Sequence, residues 1–144
     1  MRILLDTSVL VAAMVEAHPA HERALPWLRR IKQDTDLGFV SAHSLAELYA
    51  ILTRLPVHPR IIPGVAWHLI KANVLGSFEV VSLSDKDYAA VIEHLSSSGL
   101  VGGVTYDALI LYAAIKVGVD RVVTLNENDF RRIYPHLTEW IISP

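Results

Sequence analysis

Four acidic residues, far apart along the chain, have the types and positions expected of catalytic carboxylates. Asp6 directly follows a short apolar run, and Asp129 lies in a polar stretch after another such run. Asp107 opens a strongly apolar segment, and Glu47 lies among leucines at helical spacing. Carboxylates that converge on one site repel each other, so the site must bind cations or keep some carboxyls protonated.

Three of these acids also have ordinary structural explanations. Asp6 can cap the helix that follows it, and Asp129 can stabilise a turn through its side-chain oxygen. Glu47 is aligned on its helix with His43 and Arg54, so an ion pair on a partly wet rim is an equally good interpretation. None of these three acids is diagnostic when it is taken alone.

Asp107 is harder to explain in structural terms. A first-turn aspartate complements the helix dipole. However, residues 108–117 carry only one charge, Lys116, and a helix that is apolar all round is usually buried. A buried carboxylate normally finds a cation, finds hydrogen-bond donors or takes up a proton. Asp107 therefore favours a functional reading of the whole set.

The donor types indicate which cation would be bound. The chain has no cysteine, and no histidine lies at ligand spacing among the acids, which favours Mg²⁺ or Mn²⁺ over zinc. One or two such ions can lower the pKa of a water molecule and stabilise charge on phosphorus. The pattern therefore predicts phosphodiester hydrolysis.

Other polar residues near the acids are candidates for supporting roles. Thr7 and Asn126 could hydrogen-bond a ligating oxygen, although each could equally be a helix cap. Arg131 and Arg132, just after Asp129, could contact substrate phosphates. The basic residues at 29–32 are expected to be a solvated helix face, and the histidines at 18 and 21 to mark a helix start.

The elements that must position the acids alternate between short apolar strands and longer helices. This alternation predicts an α/β fold with a parallel sheet covered on both faces, whose sites gather at the carboxyl ends of the strands. Strands are predicted at 3–5, 39–40, 78–81, 122–124 and, at an edge, 140–142. Helices are predicted at about 8–15, 19–32 (starting at Pro19), 42–55 and 60–74. Two more are predicted later in the chain, one that Ser84 caps and that ends at 96–99, and one that Thr105 caps and that runs to 117, where Gly118 ends it.

Composition limits the broad class. The 144 residues are 52% hydrophobic and 19% charged, which predicts one folded domain over residues 1–144 and suits burial of further surface in an oligomer. No apolar run approaches the ~20 residues of a membrane span. The lack of cysteine is simplest in a reducing cytoplasm. A net charge of -2 is not typical of a nucleic-acid binder. If several acids form one metal site, however, bound cations neutralise them and the remaining surface is more basic than the net charge indicates.

Four ordered motifs resemble those of PIN-domain proteins, particularly VapC-type toxins. They are residues 3–10 (ILLDTSVL), 44–49 (SLAELY), 102–110 (GGVTYDALI) and 124–130 (TLNENDF), and together they extend over nearly the whole chain. The resemblance implies a Rossmann-like, three-layer α/β/α domain with a mostly parallel sheet of four or five strands.

The same resemblance implies a function and its residues. It implies an endoribonuclease whose Mg²⁺ or Mn²⁺ is held by Asp6, Glu47, Asp107 and Asp129, and whose products carry a 5′-phosphate and a 3′-hydroxyl. The fourth acid is the least constant of the family's motifs. A toxin of this type would have a protein antitoxin as partner. The apolar region 55–74 is predicted to form a dimer interface or an antitoxin-binding groove.

The sequence lacks the motifs of several other classes of protein. A halogenated-acid-type phosphatase would have an aspartate where Ser8 stands, and a response-regulator receiver would have one at the end of the third strand. The chain has no glycine fingerprint for a dinucleotide and no phosphate-binding loop. The alternatives that stay open are a PIN nuclease of RNA maturation and a non-catalytic binding module with the same fold.

Overall fold

The computed structural model describes all 144 residues. Five strands form one sheet in the order β3-β2-β1-β4-β5, and every neighbouring pair is parallel. The strands are β1 (Arg2–Leu5), β2 (Leu37–Ser41), β3 (Phe78–Val81), β4 (Arg121–Val123) and β5 (Ile141–Ile142). The predicted parallel α/β architecture is confirmed, with β5 at an edge as expected.

Seven α-helices cover the sheet. They are α1 (Thr7–Met14), α2 (His21–Lys32), α3 (Ala42–Leu52), α4 (Pro63–Ile70), α5 (Asp85–Ser98), α6 (Val104–Val117) and α7 (Glu127–Ile133). A π-helical turn, Lys71–Leu75, extends α4, and a 3₁₀ helix, Pro135–Trp140, leads into β5. None of the helices combines the length and the apolar character needed to cross a bilayer.

The helix boundaries correct several sequence predictions. Pro19 lies in the turn before α2, and Thr105 is the second residue of α6, so it is not the helix cap. Trp140 ends the 3₁₀ helix and is not part of the last strand. The segment that contains Asp129 is a helix, α7, where only a turn was expected. Seven residues are too few for a clear apolar period, which explains why α7 escaped prediction.

Other local signals are confirmed. Ser84 caps α5 through a reciprocal pair of bonds, in which its Oγ accepts from the Asp87 amide at 3.2 Å and its own amide donates to Asp87 Oδ2 at 2.9 Å. Gly118 ends α6 with a φ of +64°, a conformation that favours glycine.

Two apolar layers, one on each face of the sheet, hold the fold together. Ile3 and Leu5 of the central strand β1 belong to the layer under α1–α4, and Leu4 belongs to the layer under α5–α7. All three side chains are fully buried. Because side chains alternate between faces, a strand covered on both sides must be apolar throughout, as β1 is.

A buried ion pair ties the start of β1 to the start of β2. Asp36 accepts hydrogen bonds from the Met1 ammonium at 2.8 Å and faces Arg30 Nε at 2.6 Å. Burial raises the pKa of Asp36, but hydrogen bonds and charge from these two cations outweigh it and lower the pKa below its ordinary value. Asp36 therefore stabilises the fold as a carboxylate.

The topology determines where functional side chains can meet. In a parallel sheet all carboxyl ends lie at one edge, so Asp6 after β1 and Thr124 after β4 become neighbours. The Asp6 amide donates to the Val123 carbonyl at 3.0 Å, which continues the ladder to this edge. α3 starts directly after β2, and the N-terminus of α6 carries Asp107.

Candidate active site

Asp6 is held rigidly at the end of β1. It is 2% exposed, and the hydroxyls of Ser8 and Thr124 each donate to its Oδ2 at 2.7 Å. The Ser8 hydroxyl accepts from the Leu125 amide at 3.1 Å, and the Thr124 hydroxyl accepts from the Asn126 amide at 3.0 Å. Since an amide can only donate, both hydroxyl protons must point at Asp6.

Two opposing effects act on the Asp6 carboxyl. Burial raises the pKa of Asp6, while the hydroxyls of Ser8 and Thr124 and the Thr7 amide lower it in part, and the charge of Glu47 raises it further. The net direction is upward. Asp6 occupies the N-cap position of α1, as one interpretation predicted, but its side chain does not make the usual capping hydrogen bond.

Glu47 is supported by polar groups from two helices. Its Oε1 lies 3.0 Å from Thr7 Oγ1, which is also 2.9 Å from the fully buried Ser44 hydroxyl. His43 Nε2 lies 3.4 Å from the same Glu47 oxygen. No ion pair forms between Glu47 and Arg54, whereas His43 lies within ion-pair distance of Glu47 and would pair with it only as an imidazolium. Thr7 therefore contacts a predicted ligand and does not cap a helix.

Asp107 links the four acids into one electrostatic cluster. Its carboxylate is partly buried in the first turn of α6 and accepts no hydrogen bond within the protein. Burial, followed by the negative charges of Asp6, Asp129 and Glu47, raises the pKa of Asp107 to about 7. The four acids are therefore near enough to interact through their charges, although no three of them are close enough to hold one ion.

Asp129 is the most loosely held member of the cluster. It is half-exposed on α7, and its Oδ1 accepts from Arg132 Nη1 at 3.2 Å. Residues 125–129 line an open concavity of about 350 Å³ beside it. Asn126 precedes α7 without a side-chain capping bond and is exposed. Its side chain is therefore accessible from this concavity.

The two arginines predicted to contact phosphate differ. Arg131 forms an ion pair with Glu127 at 2.7 Å and donates to the Ile141 carbonyl at 3.1 Å, which ties α7 to β5. Arg132 is exposed apart from its contact with Asp129. Of the two, Arg132 is the one available to a ligand, whereas Arg131 is engaged within the fold.

The predicted ligands are of the type that binds a hard divalent cation, although their side chains are too far apart to coordinate a single ion. As the side chains stand, no three acidic or histidine groups are close enough to coordinate one ion. All four predicted ligands are carboxylates, which Mg²⁺ and Mn²⁺ prefer. The Asp107 carboxylate, without a partner and repelled by its neighbours, is the group that a cation would relieve most.

Three hydroxyl side chains that support the acids were missed by sequence reasoning: Ser8, Ser44 and Thr124. Their only sequence signal is that each lies within three residues of a motif acid or ends a strand. His18 and His21 bond to local backbone, the Ala20 amide at 3.0 Å and the Ala12 carbonyl at 2.9 Å, so they belong to the start of α2 as expected.

Comparison with known proteins identifies the family. The model of the PIN domain matches residues 3–134, nearly the whole chain. The chain is a PIN-domain protein. Ribonuclease VapC40 of Mycobacterium tuberculosis is 38% identical to it over 113 residues, which are 78% of each chain. The resemblance predicted from four motifs is thus confirmed.

Solved structures share the PIN fold. VapBC2 of Rickettsia felis, crystallised with a DNA fragment from its promoter, matches with a TM-score of 0.69 and 22% identity, covering 100% of this chain and 99% of that one. VapC20 of Mycobacterium tuberculosis, described as a toxin that cleaves the sarcin–ricin loop, matches with a TM-score of 0.65 and 19% identity, covering 83% and 86%. At these identities the likeness supports the fold alone.

Proposed function

We propose that this PIN-domain protein, acting as one domain over residues 1–144, is a divalent-metal-dependent endoribonuclease and the toxin of a toxin–antitoxin pair. The observation that carries the proposal is the pKa of Asp107, which the charges of three distant acids help to raise to about 7. A fold gains nothing in stability from such repulsion, so the cluster is best explained by function. The similarity to a ribonuclease of the VapC type supports RNA as substrate.

The residues of the site divide into ligands and supports. Asp6, Glu47, Asp107 and Asp129 would hold Mg²⁺ or Mn²⁺. Such an ion, when bound, makes a water molecule more acidic and stabilises negative charge on the phosphate. Loss of a group that orients a metal ligand typically costs about 10- to 100-fold in metal affinity or activity. Thr7 has this orienting role for Glu47.

Two of the carboxylates contribute in different ways. Asp6 is fixed by two hydroxyls whose protons cannot turn away, so it is pre-organised to bind and adds little mobility to the site. Asp107 has no such donors and, without a cation, retains its proton to about pH 7. Cation binding would release that proton, so affinity for the ion should rise steeply as pH increases to about 8.

The toxin assignment needs a protein partner, and an exposed apolar surface supports one. Ile62, Val65 and Trp67 on and before α4 are exposed, inside the region 55–74 predicted to form a dimer interface or an antitoxin groove. Apolar side chains clustered in this way mark interaction sites. We propose a homodimer and a protein antitoxin there, and the cytoplasm as the place where RNA is met.

A cleavage assay tests the proposal directly. The purified protein is incubated with RNA in Mn²⁺ or Mg²⁺, beside Asp6→Asn, Asp107→Asn and the control Asp85→Asn, an exposed acid of α5 outside the cluster. Wild type and control should cleave and leave 5′-phosphate ends, and the two site variants should lose activity about 100-fold or more. Equal cleavage by all four proteins would defeat the proposal.

A metal titration separates the nuclease from a binding module that keeps only the fold. Calorimetry with Mn²⁺ should detect binding to wild type that Asp6→Asn abolishes. A pure scaffold would show no divalent-ion binding that depends on Asp6.

A further inference from the structure

An aromatic pair lies beside the acid cluster. Tyr106 in the first turn of α6 stacks on His43 in the first turn of α3, with ring centroids 5.2 Å apart and planes within 4° of parallel. His43 Nε2 lies 3.4 Å from Glu47 Oε1, and Tyr106 directly precedes Asp107. The pair therefore joins the two helices that carry these acids.

Tyr106 is open to solvent. It is 52% exposed, and its hydroxyl makes no hydrogen bond within the protein. One face of the ring lies against His43 in an offset stack, and about half of the residue is left open to a ligand. Neither core packing nor a polar contact accounts for a tyrosine here, whereas a flat π-face is what a nucleobase stacks on.

The charges around the site favour such a contact. Nucleic-acid binders usually gain affinity by neutralising phosphates with Lys and Arg. Here the net charge is -2, Arg131 is tied to Glu127, and Arg132 contacts Asp129. Arg132 is therefore the one of these two arginines that is available to a phosphate, and contacts with the bases would add to the affinity for RNA.

We propose that Tyr106, backed by His43, is the platform on which a nucleobase of single-stranded RNA stacks beside the bond to be cleaved. The contact positions the backbone over the acids and favours unpaired RNA, because a base inside a duplex has no free face to offer. Tyr106 is thus a substrate-positioning residue. The inference rests on the proposed ribonuclease function, which it deepens.

Stacking has a spectroscopic signature that a merely structural role would not give. Short single-stranded RNAs carrying 2-aminopurine at each position in turn are titrated with Asp6→Asn protein in EDTA, where no cleavage occurs. At one or two positions binding should quench the fluorescence of the base. Quenching should persist in the double variant that combines Asp6→Asn with Tyr106→Phe, and it should disappear in the double variant that combines Asp6→Asn with Tyr106→Leu.

Kinetics on wild-type background give the second readout. Tyr106→Leu should raise KM about 5- to 150-fold with kcat within about threefold, which is the usual range for loss of one stacked base. Tyr106→Phe should stay within about twofold of wild type, since the ring is what matters. RNA with an abasic site at the quenched position should bind wild type and Tyr106→Leu equally.

Tyr88→Leu is the matched control. Tyr88 is similarly exposed on α5, next to Asp87, which bonds Lys116 at the far end of α6. Nine residues of helix, roughly 13 Å, separate that end from Asp107. Tyr88→Leu should change neither quenching nor KM. Thermal unfolding of each variant confirms that it is folded, and Tyr106→Ser replaces Tyr106→Leu if the latter is not.

The outcomes separate the inference from the function on which it rests. If wild type cleaves RNA but Tyr106→Leu keeps its KM and its quenching, the platform is overturned. If Tyr106→Leu weakens abasic and intact RNA equally, the residue is structural and the platform is again overturned. If no RNA is cleaved but quenching depends on an aromatic side chain at 106, the platform stands and the nuclease function fails. If RNA is neither bound nor cleaved, both are wrong.

Discussion

Replacing Asp107 by asparagine should stabilise this protein when no metal is present. The side chain keeps its size, but the charge that three other acids repel is removed. Because Asp107 accepts no hydrogen bond within the protein, no partner is lost. A functional site that stores repulsion is less stable than its neutralised variant, so the substitution should raise the melting temperature while it abolishes activity.

The shift in the pKa of Asp107 gives the size of the effect. The pKa rises from the ordinary 3.8 to about 7, and each unit corresponds to about 1.4 kcal/mol. The full shift would be about 4 kcal/mol, but screening by water at this partly exposed group reduces it to about 1–2 kcal/mol. For a chain of this size that is a rise of about 3–8 °C at pH 8.

The pH dependence follows from the direction of the shift. The folded protein retains the proton of Asp107 to a higher pH than the unfolded chain does. The contribution of the protonated Asp107 side chain to the stability of wild type is therefore fully present below about pH 4 and is lost as the pH rises through about 7. The advantage of Asp107→Asn should be full at pH 8, smaller at pH 5 and absent well below pH 4.

Calorimetric melting in EDTA at pH 5, 6, 7 and 8 measures this difference. Asp85→Asn is the control, and it should lower stability by only a few tenths of a kcal/mol, roughly 0.5, because a first-turn acid complements the helix dipole. Adding Mg²⁺ should raise the melting temperature of wild type and of Asp85→Asn but not that of Asp107→Asn, which closes the gap between wild type and Asp107→Asn. The reasoning is refuted if Asp107→Asn melts below wild type at pH 8, or if its advantage is the same at every pH.

Three further substitutions test the surrounding structure. Thr124→Val removes a hydroxyl from Asp6, so urea unfolding should detect a loss of about 1–3 kcal/mol and calorimetry a loss of about 10- to 100-fold in Mn²⁺ affinity; unchanged affinity would contradict the role of this hydroxyl. Gly38→Ala puts a methyl group into the Ile31 side chain. Urea unfolding should therefore detect a loss of about 1–3 kcal/mol in the free energy of unfolding. Asp36→Asn should destabilise by about 1–3 kcal/mol at pH 7. The gap from wild type should narrow as the pH falls below about 4, because a carboxyl with a lowered pKa loses its stabilising charge as the pH falls through that pKa. A gap as large at pH 3 as at pH 7 would rule this out.

Much of the fold could be predicted because its signals are local. The run Ile3-Leu4-Leu5, apolar at consecutive positions, indicates a strand covered on both faces, and β1 is the central strand. The Ser84 cap and Gly118 are set by short-range backbone chemistry and were correct. The segment around Asp129 failed because α7 is too short to show a period and is fixed by packing of Phe130 and Ile133 against the core.

The sequence by itself determined that acids follow strands, and the parallel sheet then requires those acids to meet at one edge. It could not determine which neutral groups hold each acid. The bond from Thr124 to Asp6 joins residues 118 positions apart, and the same kind of long-range contact decided that Arg131 is tied to Ile141 while Tyr106 lies open on His43. Propensity and spacing act over a few residues, whereas hydrogen-bond partners and exposure are set by which chain segments pack together, so only the tertiary structure could assign them.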